Sequence, residues 1–239
     1  MASALVLVGH GSSKNPNTRL PLDRIVDALR RRGLYDEVSC GFLKEDERIC
    51  KVLAPLKSDQ ITVVPFFISD GYYTQNVIPA CLQKNDNLEG ASIRYTRAVG
   101  SHPLFADLCM KHAKAAGWEK GDALVILGHG TPKNPASGRN IYLQAERIRQ
   151  KHPREEIITA FIDEAPFVTD AWTLCRAARI FIVPLFVGDG WHVTETIPED
   201  LGLKEGKAEQ AGRTLLMTSA VGTDPGLVDV VLKLAEDAG

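Results

Sequence analysis

The chain predicts an α/β protein made of two tandem copies of one parallel-sheet unit, and three observations carry that prediction. A Gly-His-Gly tripeptide occurs at Gly9-His10-Gly11 and again at Gly128-His129-Gly130, an offset of 129 − 10 = 119 residues. The same offset carries Val64-Pro65 onto Val183-Pro184, Asp70-Gly71 onto Asp189-Gly190 and Ile78-Pro79 onto Ile197-Pro198. Within each copy short apolar runs alternate with amphipathic segments, the pattern of β-α units feeding a parallel sheet covered on both faces. Self-similarity at a fixed period marks an internal duplication.

In chain order, the first copy reads as strands at Ala4–Val8, Val38–Leu43, Ile61–Phe67 and Ile93–Thr96. Helical periodicity falls on Pro21–Arg32, Arg48–Leu56, Thr74–Leu82 and His102–Ala116. The second copy repeats the strands at Ala123–Leu127, Ile157–Ile162, Ile180–Phe186 and Thr214–Thr218, so each sheet is expected to have four parallel strands. Ser101 and Thr223 read as N-caps of the last helices, with Pro103 and Pro225 in the first turns. Here the offset grows to 225 − 103 = 122, which puts three extra residues in a polar surface loop within Gly202–Gly212. The polar stretch 116–122 reads as the linker, giving domains 1–117 and 118–239.

A chain of 239 residues suits two such domains. A net charge of −2 lacks the basic excess of a nucleic-acid binder, so no nucleic-acid partner is expected. No apolar run is long enough to span a bilayer and the first resembles no signal peptide, so a cytoplasmic protein without a membrane partner is expected. The five cysteines are odd in number and form no C-x-x-C, which reads as reduced thiols. P-loop, dinucleotide-binding and nucleophile-elbow motifs are absent from the sequence, which argues against ATP or dinucleotide use. A histidine phosphatase would want arginine where Gly9 and Gly128 stand.

In open parallel sheets ligands bind beyond the carboxyl ends of the strands, where strand order reverses. His10 and His129 sit at such ends, and the third strands lead through Asp-Gly turns to Gly71-Tyr72-Tyr73 in one copy and Gly190-Trp191-His192 in the other. A histidine pair is therefore complete only in the second copy. His129, Glu164 and His192 fall at three strand ends there, and two imidazoles with a carboxylate form a ligand set for a divalent first-row metal. A single strand-end histidine is more often a capping or supporting group; three ligand types at one edge favour chemistry. Glu45 matches Glu164 in the first copy (164 − 45 = 119), and Asp70 and Asp189 read as structural turn residues.

The segments Val125–Thr131, Phe161–Pro166 and Val183–Phe186 leading to Gly190-Trp191-His192-Val193-Thr194-Glu195 with Ile197-Pro198 resemble the class II chelatases. Among them the chain is similar to the sirohydrochlorin cobaltochelatase and ferrochelatase group in its long, two-repeat form. That resemblance implies a chelatase-like fold of two flavodoxin-like, doubly wound halves facing a cleft. It implies ATP-independent insertion of Co²⁺ or Fe²⁺ into sirohydrochlorin, with no cofactor beyond the metal substrate. By the same resemblance His129 and His192 are the catalytic and metal-binding histidines and Glu164 the acidic ligand. Imidazoles with an ordinary pKa of about 6.5 can both bind metal and accept the pyrrole protons.

A macrocycle with eight carboxylates calls for apolar walls and peripheral cations. Tyr72, Tyr73 and Trp191 are the expected walls, with His10 opposite and Lys14 and Lys133, in twin Lys-Asn-Pro motifs, as rim charges. Phe67 and Phe186 read as core first. Cobalt in cobalamin-type biosynthesis is the first expectation, iron in sirohaem synthesis the alternative, and a non-catalytic tetrapyrrole- or metal-binding protein the reading from a different class. Two fused halves make an internal pseudo-dimer, so a monomer suffices.

Overall fold

A computed structural model describes residues 2–11, 16–44, 49–53, 55–85, 88, 90–131 and 138–238. Lys14, Glu45 and Lys133 lie outside the described residues.

The first sheet has four parallel strands, β1 (Ser3–Gly9), β2 (Glu37–Phe42), β3 (Gln60–Pro65) and β4 (Ser92–Tyr95), in the order β2-β1-β3-β4. The connections between them carry α1 (Leu20–Arg32), α2 (Ile49–Leu53) and α3 (Ile78–Gln83). Alternation along β1 divides the core. Ala4, Val6 and Val8 pack with Ile49, Leu53, Ile61, Val63 and Ile78, while the equally buried Leu5 and Leu7 point to the opposite face. A strand buried on both faces reads as a continuous apolar run, which is why Ala4–Val8 was legible.

Two further helices are α4 (Leu104–Ala115) and α5 (Arg139–Lys151). The second sheet begins with β5 (Ala123–Gly128), β6 (Glu156–Phe161) and β7 (Arg179–Pro184), and short α6 (Ala171–Leu174) and α7 (Ile197–Leu201) lie in its connections. It has five strands where four were expected. Gly202–Gly212 is not a plain surface loop: β8 (Lys207–Gln210) pairs antiparallel with β9 (Arg213–Met217) and extends the order to β6-β5-β7-β9-β8. Its residues, Lys-Ala-Glu-Gln, are mostly exposed and carry no apolar alternation. The chain ends in α8 (Leu227–Asp237).

The compact units are cut differently from the sequence repeats 1–117 and 118–239. Unit 1 comprises Met1–His102 with Pro225–Gly239, and unit 2 comprises Pro103–Asp224. Each unit thus takes its last helix from the other repeat. In unit 1, α8 packs on β3 and α1, with Leu227, Val230, Val231 and Leu234 buried, and Arg32 pairs with Asp229 at 3.2 Å. In unit 2, α4 packs on α5 and β7, and Lys111 and His112 hold Asp224 at 2.9 and 3.0 Å. Ser101 and Thr223 are not the N-caps expected. Their hydroxyls bond back to the carbonyls of Ala98 and Ala220, closing 3-10 turns (Val99–Ser101, Val221–Thr223) just before the chain leaves one unit for the other. Among the described residues no helix is long and apolar enough to cross a membrane, and the described cysteines Cys40, Cys81, Cys109 and Cys175 are in no disulfide.

Candidate active site

In both units the chain runs from the first strand outward in sequence to the edge strand β2 or β6, then crosses back to β3 or β7 on the far side of the first. The switch point therefore lies between β1 and β3, and between β5 and β7, and the two Gly-His-Gly tripeptides stand at its carboxyl end. Each glycine of the tripeptide has a physical reason. A Cβ on Gly9 would sit 3.0 Å from Leu22 and one on Gly128 would sit 2.6 Å from Ile141, so the first glycine lets the following helix lie against the strand end. The second glycine, Gly11 or Gly130, has φ +67° or +71°, the left-handed region in which an L side chain is strained.

That reversal places the two histidines alike. Nδ1 of His10 lies 2.9 Å from the carbonyl of Gly11, and Nδ1 of His129 lies 2.9 Å from that of Gly130. A carbonyl oxygen only accepts, so Nδ1 donates this bond, and in the neutral imidazole Nε2 is the nitrogen that keeps its lone pair. Beyond each third strand the chain runs through seven residues to a π-helical turn, Tyr73–Val77 in unit 1 and His192–Thr196 in unit 2. The His129 and His192 rings meet edge to face, with centroids 4.9 Å apart at 88°. Tyr73 takes the place of the second imidazole in unit 1, 5.1 Å from His10 at 80°. The duplicated geometry holds while its chemistry differs. Nδ1 of His192 is buried without a hydrogen-bond partner among the described residues, as expected of a group kept for chemistry.

The acidic residue nearest this pair was not the one expected. Asp163 Oδ2 lies 3.4 Å from His129 Nδ1, both side chains half-exposed, and the Asp163 amide donates to the His129 carbonyl at 3.0 Å. Glu164, half-buried, turns instead toward the start of α5. Its Cγ would lie 2.6 Å from a Cβ on Gly130, and its Oε1 3.0 Å from one on Gly138, the residue preceding α5, where the helix dipole favours a carboxylate. Among the described residues no three His, Cys, Asp or Glu side chains converge as a preformed metal cage. Two adjacent acids, Asp163-Glu164, differ only in which way the backbone turns them; the signal for Asp163 was its position one residue closer to the strand end.

The aromatic residues expected as walls stand at the same edges. Tyr72 and Trp191 occupy matching positions before the π-turns and are 67% and 72% exposed, a costly placement for large apolar groups. Tyr73 stacks on Phe67 at 6.4 Å and meets Tyr72 at 5.8 Å, and Phe186 lies edge-on to His129 at 6.5 Å. Asp70 and Asp189 are turn residues, each accepting an N–H from the segment after the neighbouring strand, Ala98 at 2.8 Å and Ala220 at 2.7 Å. The π-turn of unit 1 is further fastened by Thr74, whose hydroxyl takes the Gly71 N–H at 2.8 Å, and by Tyr95, whose hydroxyl donates to the Thr74 carbonyl at 2.5 Å.

An α/β chain with a paired imidazole site at the switch point of a duplicated parallel sheet has the architecture of the two-repeat chelatases. Its fold matches SirB from Bacillus subtilis with Fe³⁺ at a TM-score of 0.83 and 18% identity, over 100% of this chain and 96% of that one. A multi-domain protein from Deinococcus radiodurans with structural similarity to chelatases matches at a TM-score of 0.81 and 27% identity, over 98% of this chain and 54% of that one. The chain belongs to the CbiX family, whose family model matches residues 4–116 and again 123–238. The probable sirohydrochlorin cobaltochelatase of Halobacterium salinarum is 38% identical over 99% of this chain and 91% of its own length. The sirohydrochlorin cobaltochelatase of Methanopyrus kandleri is 35% identical over 138 residues, 47% of this chain and 96% of its own.

Proposed function

We propose that this chain is a sirohydrochlorin metal chelatase that inserts Co²⁺ into the macrocycle without ATP, using the histidine pair of unit 2. The observation that carries the reading is the His129–His192 contact, two imidazoles edge to face at 4.9 Å, one at the end of β5 and one opening the π-turn that follows β7. Metal insertion requires the ion to exchange waters for nitrogen ligands and two pyrrole N–H protons to leave as metal–nitrogen bonds form. Nε2 of His129, its tautomer held by the Gly130 carbonyl, supplies a lone pair for the ion and then for a proton. His192, with Nδ1 unpartnered, is the second ligand and base. Asp163, beside His129, balances the positive charge that accumulates there, and Glu164 provides a second carboxylate at the same edge. Trp191 offers an apolar face for the ring.

Borderline nitrogen and oxygen ligands accept Co²⁺ and Fe²⁺ alike. The name borne by the Halobacterium and Methanopyrus relatives supports cobalt. Free thiols fit a reducing, cytoplasmic compartment, and two repeats in one chain fit a monomer acting as an internal pseudo-dimer.

The test is the change in visible absorption when metal-free sirohydrochlorin and Co²⁺ or Fe²⁺ are mixed with the protein without ATP, beside His192→Ala and a no-enzyme control. Many turnovers per chain, lost in His192→Ala, are expected, faster with Co²⁺. Faster turnover with Fe²⁺ would overturn the metal assignment. Binding without turnover would overturn catalysis in favour of a tetrapyrrole-binding role.

A further inference from the structure

Duplication gives each turn of unit 2 a reference copy in unit 1, and the two turns that follow β3 and β7 are held differently. Their backbone frame is shared. Gln75 donates to the Gly71 carbonyl at 2.8 Å, and Thr194, 119 residues on, donates to the Gly190 carbonyl at 3.1 Å. Asp70 and Asp189 likewise accept from Ala98 and Ala220. The side chains of unit 1 then fasten the frame. The Thr74 hydroxyl takes the Gly71 N–H at 2.8 Å, and the Tyr95 hydroxyl donates to the Thr74 carbonyl at 2.5 Å. The Asn76 amide donates to the Tyr72 carbonyl at 3.3 Å, and Arg97 grips Asp70 at 3.2 Å. Burial, with the Asp70 charge adding to it, pushes the Tyr95 phenol up, so it stays a donor.

In unit 2 the residue types remove each of these ties. Val193 stands for Thr74 and carries no polar atom. Met217 stands for Tyr95, since each is the strand residue paired with Ile182 or Val63, and a thioether cannot donate. Glu195 replaces the Asn76 amide with an acceptor, and Ser219 replaces the guanidinium of Arg97. Packing does not force the exchange: Thr74 and Val193 are both buried, and Tyr95 and Met217 both lie against the core of their own sheet. The approach to the turn differs in the same sense. Gly188 stands where unit 1 has Ser69, placing glycine on both sides of Asp189, and Val187 and Asp189 are exposed where Ile68 and Asp70 are half-buried. This looser turn is the one that carries His192, whose Nδ1 is buried without a hydrogen-bond partner among the described residues. An ion reaches that nitrogen only when the turn moves.

We propose that residues 188–196 form a hinged flap of unit 2, opening at Gly188 and Gly190 to uncover His192, and that Thr74 and Tyr95 hold the counterpart segment of unit 1 shut. That the opening serves metal transfer rests on the chelatase reading above; the opening itself rests on the bonds and residue types alone. A ligand that takes up an ion and then gives it away needs two settings, and a turn clamped as in unit 1 has one.

The experiment is amide hydrogen exchange of the metal-free protein, resolved by NMR at the matched amides of Gln75 and Thr194. Two hydrogen bonds of ordinary strength, those of Thr74 and Tyr95, predict that Thr194 exchanges about thirtyfold faster after correction for intrinsic rates. Val193→Thr with Met217→Tyr copies the clamp into unit 2 and is expected to bring Thr194 within about threefold of Gln75 and to slow turnover with Co²⁺. Thr74→Val with Tyr95→Phe removes the clamp from unit 1 and is expected to speed exchange at Gln75 about thirtyfold. The wild-type comparison needs no variant, and circular dichroism establishes that each variant is folded. Equal protection of Gln75 and Thr194 in the wild type overturns the flap, whether or not the protein inserts metal. Slowed exchange in the clamped variant with unchanged turnover overturns its service to metal transfer. Faster exchange at Thr194 in a wild type without turnover overturns the chelatase reading and leaves the flap standing.

Discussion

Substituting Gly130 by alanine isolates the turn that aims His129. Its φ of +71° places an L side chain in the left-handed region, at a cost of roughly 1–2 kcal/mol. The new Cβ would also sit 2.6 Å from Glu164 Cγ and 2.9 Å from Phe161 Cβ. Glu164 is half-buried and can swing away, but Phe161 is fully buried on β6 and cannot, so overpacking adds about 1–2 kcal/mol. The expected loss is about 3 kcal/mol, which in a chain of this size lowers Tm by roughly 10 °C. Gly190→Ala is the matched control: no atom lies within 4 Å of its Cβ and its φ is not positive, so a change below about 0.5 kcal/mol is expected. Urea and thermal unfolding of the two variants, followed by circular dichroism, measure the difference. Equal stability of Gly130→Ala and Gly190→Ala would refute the claim that the second glycine of the tripeptide is there for its backbone.

Asp163→Asn and Glu164→Gln separate the two adjacent acids: a calorimetric titration with Co²⁺ alone is expected to show the larger loss of affinity, about tenfold, for Asp163→Asn, because that carboxylate is the one beside His129. Tyr95→Phe removes the bond to the Thr74 carbonyl and is expected to cost about 1 kcal/mol in urea unfolding. Burial pushes the Cys175 thiol up to about 12, with Glu156 adding to the shift and Arg213 opposing it. A raised pKa keeps the group protonated, so at pH 8 only on the order of one in 10⁴ is thiolate. Cys175, and the fully buried Cys109, whose thiol burial also pushes up, are expected to resist iodoacetamide in the native protein and to react on unfolding, as mass spectrometry of alkylated peptides would record.

The strands that carry the site were legible because both faces of β1, β3, β5 and β7 are buried, which leaves an apolar run with no other reading. The histidine and tyrosine at the matching ends were legible for the same reason, since the duplication fixes their register. The strand β8 was not, because a solvated edge strand of Lys, Ala, Glu and Gln needs only its backbone to pair. The π-turns read as ordinary helix, one inserted residue being invisible to a period of 3.6 in so short a segment. The partition of the last helices was hidden more deeply. Apolar stripes on α4 and α8 record that each helix packs on a sheet, and equivalent helices of a duplicated sequence do not record which sheet.

That partition gives the molecule a thermodynamic asymmetry. Unit 2 is one unbroken stretch of chain, whereas unit 1 is discontinuous and must recover α8 from beyond the whole of Pro103–Asp224. Were that stretch unfolded, closing a loop on the order of 120 residues would cost unit 1 about 4 kcal/mol of chain entropy. When it is folded, Lys111 and His112, near the C-terminal end of α4, grip Asp224 at the far end of the stretch, and most of that cost disappears. Residues 103–224 thus form a unit continuous in the chain, whereas residues 1–102 complete theirs only with a helix that lies beyond that stretch, so the order in which the two parts fold is not symmetric.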